Sequence, residues 1–223
     1  MPKTIDPLYQ YSANLRSEVA AFLPTQYHKV LEIGCSYGTF RKNLEQPNEY
    51  WGIEPNPAVA QEAGQYLDKV LTGLFEEVLD QLPDSYFDLV ICNDVIEHMA
   101  DPDWFLELIK SKMTANASLV GSIPNVRHIS NLKALLIQKD WQYEDAGILD
   151  RTHLKFFTQK SLKHLFSATV LRLRRYPALT TFHQEHSFPE YSQNYSIAFW
   201  VKIFATFRLV LRLSHKFSKT HCV

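Results

Sequence analysis

Glu32, Gly34, Cys35, Gly38 and Glu54 stand in the run VLEIGCSYGTFRKNLEQPNEYWGIE, residues 30–54. Their types and spacing are those of a small-molecule cradle. The apolar run Val30–Ile33 enters a glycine turn at Gly34 and Gly38, and the second run Tyr50–Ile53 ends on Glu54. The acid falls 54 − 34 = 20 residues after the first glycine. In nucleotide-binding βαβ units that spacing puts a carboxylate under ribose hydroxyls at the tip of the second strand. The whole chain has 7 Gly in 223 residues, so two in one turn point to a backbone that must curve tightly or approach a ligand.

Two departures from the dinucleotide pattern narrow the ligand. Gly34-Cys-Ser-Tyr-Gly38 is G-x-x-x-G and not G-x-G-x-x-G. Glu32 lies just inside the turn, where a pyrophosphate has no use for an acid and a cationic group does. Ribose, adenine and an amino-acid ammonium together describe S-adenosylmethionine. A tight βα turn serving only the chain is the alternative, and the joint presence of turn and ribose acid favours the ligand.

These residues need strands to position them. Apolar runs at 29–33, 50–53, 69–72, 87–93 and 119–123 read as strands. The 87–93 run, FDLVICN, is nearly continuous, as in a parallel strand covered on both faces. Helical spacing over 8–23, 38–46, 56–67 and 101–113 fills the intervals, with Asn56-Pro57 and Asp101-Pro102 as starts. Strands alternating with helices imply a parallel α/β sheet whose ligands bind at the strand carboxyl ends. Glu32, Glu54, Asn93 and Asn125 all fall at such ends. Residues 125–160 are dense in polar and aromatic side chains and read as a lid, with a helix from about Thr158 and a sixth strand at 169–175.

Composition agrees with one α/β domain carrying an appendage: 46% of residues are hydrophobic and 13% aromatic. Cys35, Cys92 and Cys222 have neither disulfide nor metal spacing, so no metal is expected and a reducing cytoplasm is. The N-terminus lacks an apolar signal core, and no stretch of 18 uncharged apolar residues occurs. A net charge of −1 conceals a split. Residues 1–150 carry 11 Lys+Arg and 22 Asp+Glu, and residues 151–223 carry 12 and 2. The basic third calls for an anionic partner, whether a membrane surface, a phosphorylated substrate or the acidic half of the chain itself.

Over 28–176 the chain resembles class I S-adenosylmethionine-dependent methyltransferases. LEIGCSYG is similar to their first motif, WGIEP to their acidic second motif, and FDLVICNDVIEHMADP to the segment after strand four. SIPNVRH followed by DWQYEDAGILDRTHLKFFT resembles a bacterial subgroup often associated with polysaccharide and O-antigen biosynthesis, and more distantly the W-type proteins of methionine biosynthesis. The resemblance implies a Rossmann-like fold, a mostly parallel central sheet with helices on both faces, in a domain of 1–176 with a lid at about 125–160. It implies that Glu32 holds the methionyl ammonium, that Gly34, Cys35 and Gly38 pass beneath the methionine, and that Glu54 takes both ribose hydroxyls. Asn93 and Asp94 would line the methyl-transfer region. Many relatives carry an Asp near the end of strand three for adenine. Leu74 stands there, which leaves that contact to backbone groups or Glu76.

A hydroxyl acceptor is a poor nucleophile until it loses its proton, so a general base is expected. The candidates are His153 first, then His128, with His98 third; each has a structural alternative as a cap, a packed ring or a lid-ordering hydrogen bond. Asn125, Arg127, Arg151 and Lys155 are the candidate substrate contacts, or else a solvated basic face. At 100° per residue, 197–216 reads as a basic amphipathic helix, packed on the domain or a second subunit or laid on an inner-membrane surface. Residues 177–223 are therefore expected as an extension, and Ser196–Phe204 is the alternative closing strand. The expected activity is methyl transfer to a hydroxyl or amine of a small molecule, a sugar or glycan precursor, with no nucleic-acid partner. The rivals are a catalytically weak binding module and a membrane-associated quinone or lipid methyltransferase.

Overall fold

The computed structural model describes residues 15–45, 49–168, 172–175, 178–179 and 208–214. Its centre is a sheet in the order β3-β2-β1-β4-β5-β8-β6. The strands are β1 (Lys29–Ile33), β2 (Glu49–Glu54), β3 (Lys69–Thr72), β4 (Phe87–Asn93), β5 (Met113–Pro124), β6 (Arg172–Arg175), β7 (Ala178–Leu179) and β8 (Arg208–Ser214). The first five are parallel neighbours. β8 runs antiparallel to β5 and carries β6 and the short β7 on its far side.

Alternation within the central strands splits the core into two faces. Leu31, Val90 and Cys92 pack with Phe105, Ile109, Leu162 and Phe166 on one face. Val30, Leu89, Ile91 and Val120 pack with Val19, Phe40 and Leu44 on the other. Each such side chain contributes about 1.5–3 kcal/mol on leaving water, which explains why β4 reads as a continuous apolar run.

The helix starts follow from the residues that open them. Asn56 accepts from Ala58 N at 3.0 Å ahead of the helix Pro57–Ala63, and Asp101 accepts from Trp104 N at 3.0 Å ahead of Pro102–Lys112. In both, proline occupies the first turn, where its missing N–H costs nothing.

Four expectations need correction. The described part of the N-terminal helix is only Ser17–Ala20, because Arg16 adopts a left-handed conformation at φ 50°; residues 1–14 lie outside the described residues. The segment after Gly38 is a 3-10 turn, Thr39–Asn43, which ends where Leu44 becomes extended. β5 begins at Met113 and not at Leu119, since Met113 pairs with Phe87 across a register shift. The stretch 208–214 is a strand and not the continuation of a helix. Its sequence RLVLRLS places Leu209, Leu211 and Leu213 at a period of two, and the exposed ladder of β5 offers the pairing partners. Positions 180–207, including the whole Ser196–Phe204 alternative, are outside the described residues, as are 169–171 of the expected sixth strand.

Gly121 lets β4 and β5 approach. A Cβ there would sit 2.0 Å from the Cys92 carbonyl oxygen. Gly121→Ala is expected to cost about 3 kcal/mol or more, which is a Tm fall of roughly 6–12 °C for a chain of this size. An unchanged Tm in a thermal melt would contradict this packing.

Candidate functional site

The parallel strands deliver their carboxyl ends to one edge, and the site is built there. Glu32, near the end of β1, is 3% exposed and accepts a hydrogen bond from the Tyr50 hydroxyl at 2.7 Å. Burial pushes its carboxyl up to about 8, against the pull of Tyr50 and Arg16. Gly34 then turns the chain at φ 67°; a Cβ there would meet Val95 at 2.9 Å. Cys35 donates its N–H to Ile53 O at 3.0 Å, which ties the turn to β2. Its buried thiol is pushed upward by desolvation and is no thiolate nucleophile. Gly38 closes the turn at φ 70°.

Glu54 ends β2 with each carboxylate oxygen already holding one backbone N–H, Ser36 N at 3.0 Å and Asn56 N at 2.9 Å. Burial raises its pKa and these two donors oppose the rise. Each oxygen retains acceptor capacity, so a vicinal diol can still be bound bidentately.

At the end of β4, both polar atoms of the Asn93 side-chain amide are buried with no protein hydrogen-bond partner. Leaving such groups unmet costs about 1–3 kcal/mol each, which is what a ligand-binding amide shows before its ligand arrives. Asp94, at φ 53°, lies between Arg16 Nη1 at 2.6 Å and the Ser122 hydroxyl at 2.7 Å.

Two histidines converge beside them. His153 is buried and its Nδ1 lies 2.9 Å from Ile148 O; His98 Nδ1 lies 3.2 Å from Thr152 O. A carbonyl only accepts, so Nδ1 carries the proton in each ring and Nε2 keeps its lone pair. The ring centroids are 4.8 Å apart at 72°. Desolvation holds the His98 pKa below the ordinary imidazole value, with the bond to Thr152 opposing it. Glu97 is 1% exposed, and its Oε1 lies 4.0 Å from His153 Nε2. The Glu97 carbonyl accepts from Leu154 N at 2.9 Å and Lys155 N at 3.0 Å, so the lid is clamped to the end of β4.

Two cavities meet here. One, about 270 Å³, is lined by Arg16, Glu32, Cys35, Asn93, His98 and His153 among others. The second, about 780 Å³, runs past Glu54, Leu74, Phe75, Glu76, Met99 and Leu154. Gly34, Asp94 and His98 line both. The expected cofactor residues Glu32, Gly34, Cys35, Glu54, Asn93 and Asp94 are thus brought together, with Gly38 shaping the turn. Leu74 N–H is taken by the Glu77 carboxylate at 2.8 Å, while Glu76 lines the larger cavity.

The remaining candidates lie elsewhere. His128 caps the helix Ile129–Lys133 through Ser130 and lines neither cavity. Asn125 is buried and bridges to Phe157. Arg127 and Lys155 are exposed, and Arg151 pairs with Asp145 at 3.2 Å on the surface. Sequence reasoning missed Arg16, Glu97 and Ser122. The Glu-His pair at 97–98 was the only local signal; Arg16 and Ser122 reach the site through tertiary folding.

Residues 8–174 match a family described as a methyltransferase domain. The chain belongs to it. The sheet agrees with solved methyltransferase structures: one from the complex with the Haloferax volcanii Trm112 methyltransferase activator (15% identity, TM-score 0.66, covering 92% of this chain and 89% of that one), and a SAM-dependent methyltransferase of Archaeoglobus fulgidus (20%, 0.62, covering 94% and 100%). The ubiquinone biosynthesis O-methyltransferase of Schizosaccharomyces pombe mitochondria is 31% identical over 100 residues, which are 41% of this chain. The match spans 36% of that relative's length. The methyl donor of this methyltransferase domain is S-adenosylmethionine, and the unmet Asn93 amide at the end of β4, the strand beside that of Glu32, fits it.

The Glu32 proton has a consequence for stability. Its folded pKa of about 8 exceeds the ordinary 4.5, so its contribution is fully present below 4.5 and is lost as pH rises toward 8. Glu32→Gln, which cannot ionise, is expected to gain about 2–4 kcal/mol relative to the parent between pH 5 and pH 8. Urea unfolding at both pH values checks this; parallel pH profiles would refute it.

Proposed function

We propose that this protein transfers a methyl group to a hydroxyl of a small molecule. The observation that carries the reading is the pair of imidazoles, His98 and His153, whose Nδ1 protons are tied to carbonyls while they line the cofactor cavity. Bound S-adenosylmethionine supplies an electrophilic sulfonium methyl. In our reading Glu32 and Asn93 hold the methionyl ammonium end, Arg16, which lines the same cavity, faces the methionyl carboxylate, and Glu54 takes the ribose diol. His153, or His98 at the junction of the cavities, accepts the hydroxyl proton at Nε2. The Gly34 turn and Val95 keep the backbone close and limit water. His128 serves as a helix cap.

The acceptor we infer is a sugar or glycan precursor, supported by the resemblance of residues 122–158 to the polysaccharide-associated subgroup. A quinone-precursor phenol is the second reading. It is favoured by the S. pombe relative and by the apolar wall of Leu74, Val95, Met99 and Leu154. Turnover across nucleotide sugars and prenylated catechols, followed as S-adenosylhomocysteine formed, decides between them. His153→Ala or His98→Ala should lower kcat at least ~100-fold with cofactor affinity retained. Full turnover in both variants would sink the base assignment.

Cofactor binding itself has two signatures. Glu54→Ala should weaken S-adenosylmethionine at least about 30-fold in calorimetry, the loss of a charge-assisted bidentate contact. An ammonium beside Glu32 must displace the proton held there at neutral pH. Binding at pH 7 should therefore release close to one proton, seen as heats that vary with buffer ionisation enthalpy. Glu32→Gln should abolish that variation.

A further inference from the structure

Sequence spacing gave no metal motif, but the fold brings Glu97, His98 and His153 together. Their ligand atoms lie within 4.8 Å of one another. Three features of the cluster go together. Each imidazole spends its Nδ1 proton on a backbone carbonyl, Thr152 O for His98 and Ile148 O for His153. That arrangement fixes the tautomer and orients Nε2 as metal-binding histidines require. The Glu97 carboxylate is 1% exposed, and its Oε1 stands 4.0 Å from His153 Nε2, too far for a hydrogen bond and wide enough for something between them. The two N–H bonds from Leu154 and Lys155 to Glu97 O hold the two halves of the cluster in register.

We propose that Glu97, His98 and His153 form a binding site for a first-row divalent cation such as zinc, open toward the methyl-transfer cavity. One carboxylate oxygen and two imidazole nitrogens are the ligand chemistry of such ions and not of magnesium or calcium. Bonds of about 2.1 Å at tetrahedral angles put ligand atoms about 3.4 Å apart, so the side chains close by about an ångström around the ion. Three protein ligands leave a coordination position free, the arrangement of catalytic rather than structural sites. Because His98 and His153 line the cavity, that position faces the acceptor. This part rests on the methyl-transfer reading of the cavity. The acceptor hydroxyl binds the ion through oxygen, its O–H bond breaks, the electron pair stays on oxygen and the proton goes to water. With the ion bound, the Nε2 lone pairs are its ligands and not bases, and the ion takes over that task by lowering the hydroxyl pKa toward neutrality as it does for bound water.

The test uses the full chain, stripped with a chelator and titrated with cobalt(II) alone, a spectroscopic stand-in for zinc. Expected are one equivalent bound with visible d–d absorption, and at least 100-fold weaker binding in Glu97→Gln and in His153→Ala. The surface variant His28→Gln, far from the cluster, should bind as the parent does. Circular dichroism confirms that each variant is folded. Binding of less than half an equivalent by the folded parent overturns the site, as does equal binding by Glu97→Gln and the parent. Calorimetry with S-adenosylmethionine on the same cobalt-loaded protein separates the two proposals. Cobalt binding without cofactor binding would sink the methyl-transfer reading and leave the ion site standing. Cofactor binding without cobalt binding would do the reverse.

Discussion

The parallel pairing of β1 with β2 and β4, and of β4 with β5, is the constraint on which everything else depends. Ile33 is opposite both Ile53 and Cys92, and Asn93 is opposite Ser122. With these registers fixed, the residues that end the strands must share one edge. A one-residue slip of β1 would exchange its two faces, sending Glu32 to the opposite side and Leu31 into the space shaped for Val30. Apolar burial on both faces of β1 and β4 penalises such a slip heavily, so packing far from the ligand determines where the carboxylates stand. Gly121 belongs to the same constraint, because the β4–β5 approach that brings Ser122 to Asp94 leaves no room for a Cβ at position 121.

The edge thus built is electrostatically unusual. Glu32, Glu54 and Glu97 are all at most 9% exposed, and Asp94 sits between Glu32 and Glu97 in sequence and lines both cavities. Isolated buried carboxylates are costly, and Glu54, Asp94 and Glu32 are each met differently. Glu54 is held by two backbone donors of the glycine turn and the following helix. Asp94 has Arg16 and Ser122. Glu32 has one neutral donor, Tyr50, and burial leaves it protonated at neutral pH. A site with this distribution binds a cationic ligand at the Glu32 end most strongly, since the arriving charge restores an ionised carboxylate and gains its attraction at once. In the proposed binding mode that asymmetry would set the ammonium of an amino-acid-bearing nucleoside toward β1 and its ribose toward β2.

What could be read in the sequence follows the range of the forces involved. The first four strands end within a residue or so of their expected positions because continuous burial of β4 and the flanking turns are local patterns. Asn56-Pro57 and Asp101-Pro102 mark helix starts by chemistry within three residues. Glu32, Gly34, Glu54, Asn93 and Asp94 were legible because strand ends converge by topology alone. Arg16 was not, since its role comes from a left-handed backbone and a partner 78 residues away (94 − 16 = 78). β8 was not, because RLVLRLS satisfies a basic stripe at helical spacing as well as a period of two, and only the unpaired ladder of β5 chooses between them. Metal-type chemistry at Glu97 and His153 was invisible for the same reason, their meeting being set by a lid that folds back over 56 residues (153 − 97 = 56).

The lid is therefore more than a cover. Its backbone is pinned at two points. Leu154 and Lys155 bond to Glu97 O, and the chain following Asn125 runs parallel to Phe157 with Val126 N donating to Phe157 O at 3.0 Å. Beside the first lies His153, packed against His98 and linked through Ile148 O to the far arm of the lid. A movement of that arm has to shift the Ile148 carbonyl, and with it the direction of His153 Nε2. The alignment of the reacting group is thus tied to lid position, while Glu32, Asn93 and Glu54 sit on paired parallel strands. Such a division would let the cofactor half stay preorganised and leave adjustment for the acceptor to residues 125–155, where Ile148 and Leu149 are the buried apolar side chains and deformation costs little.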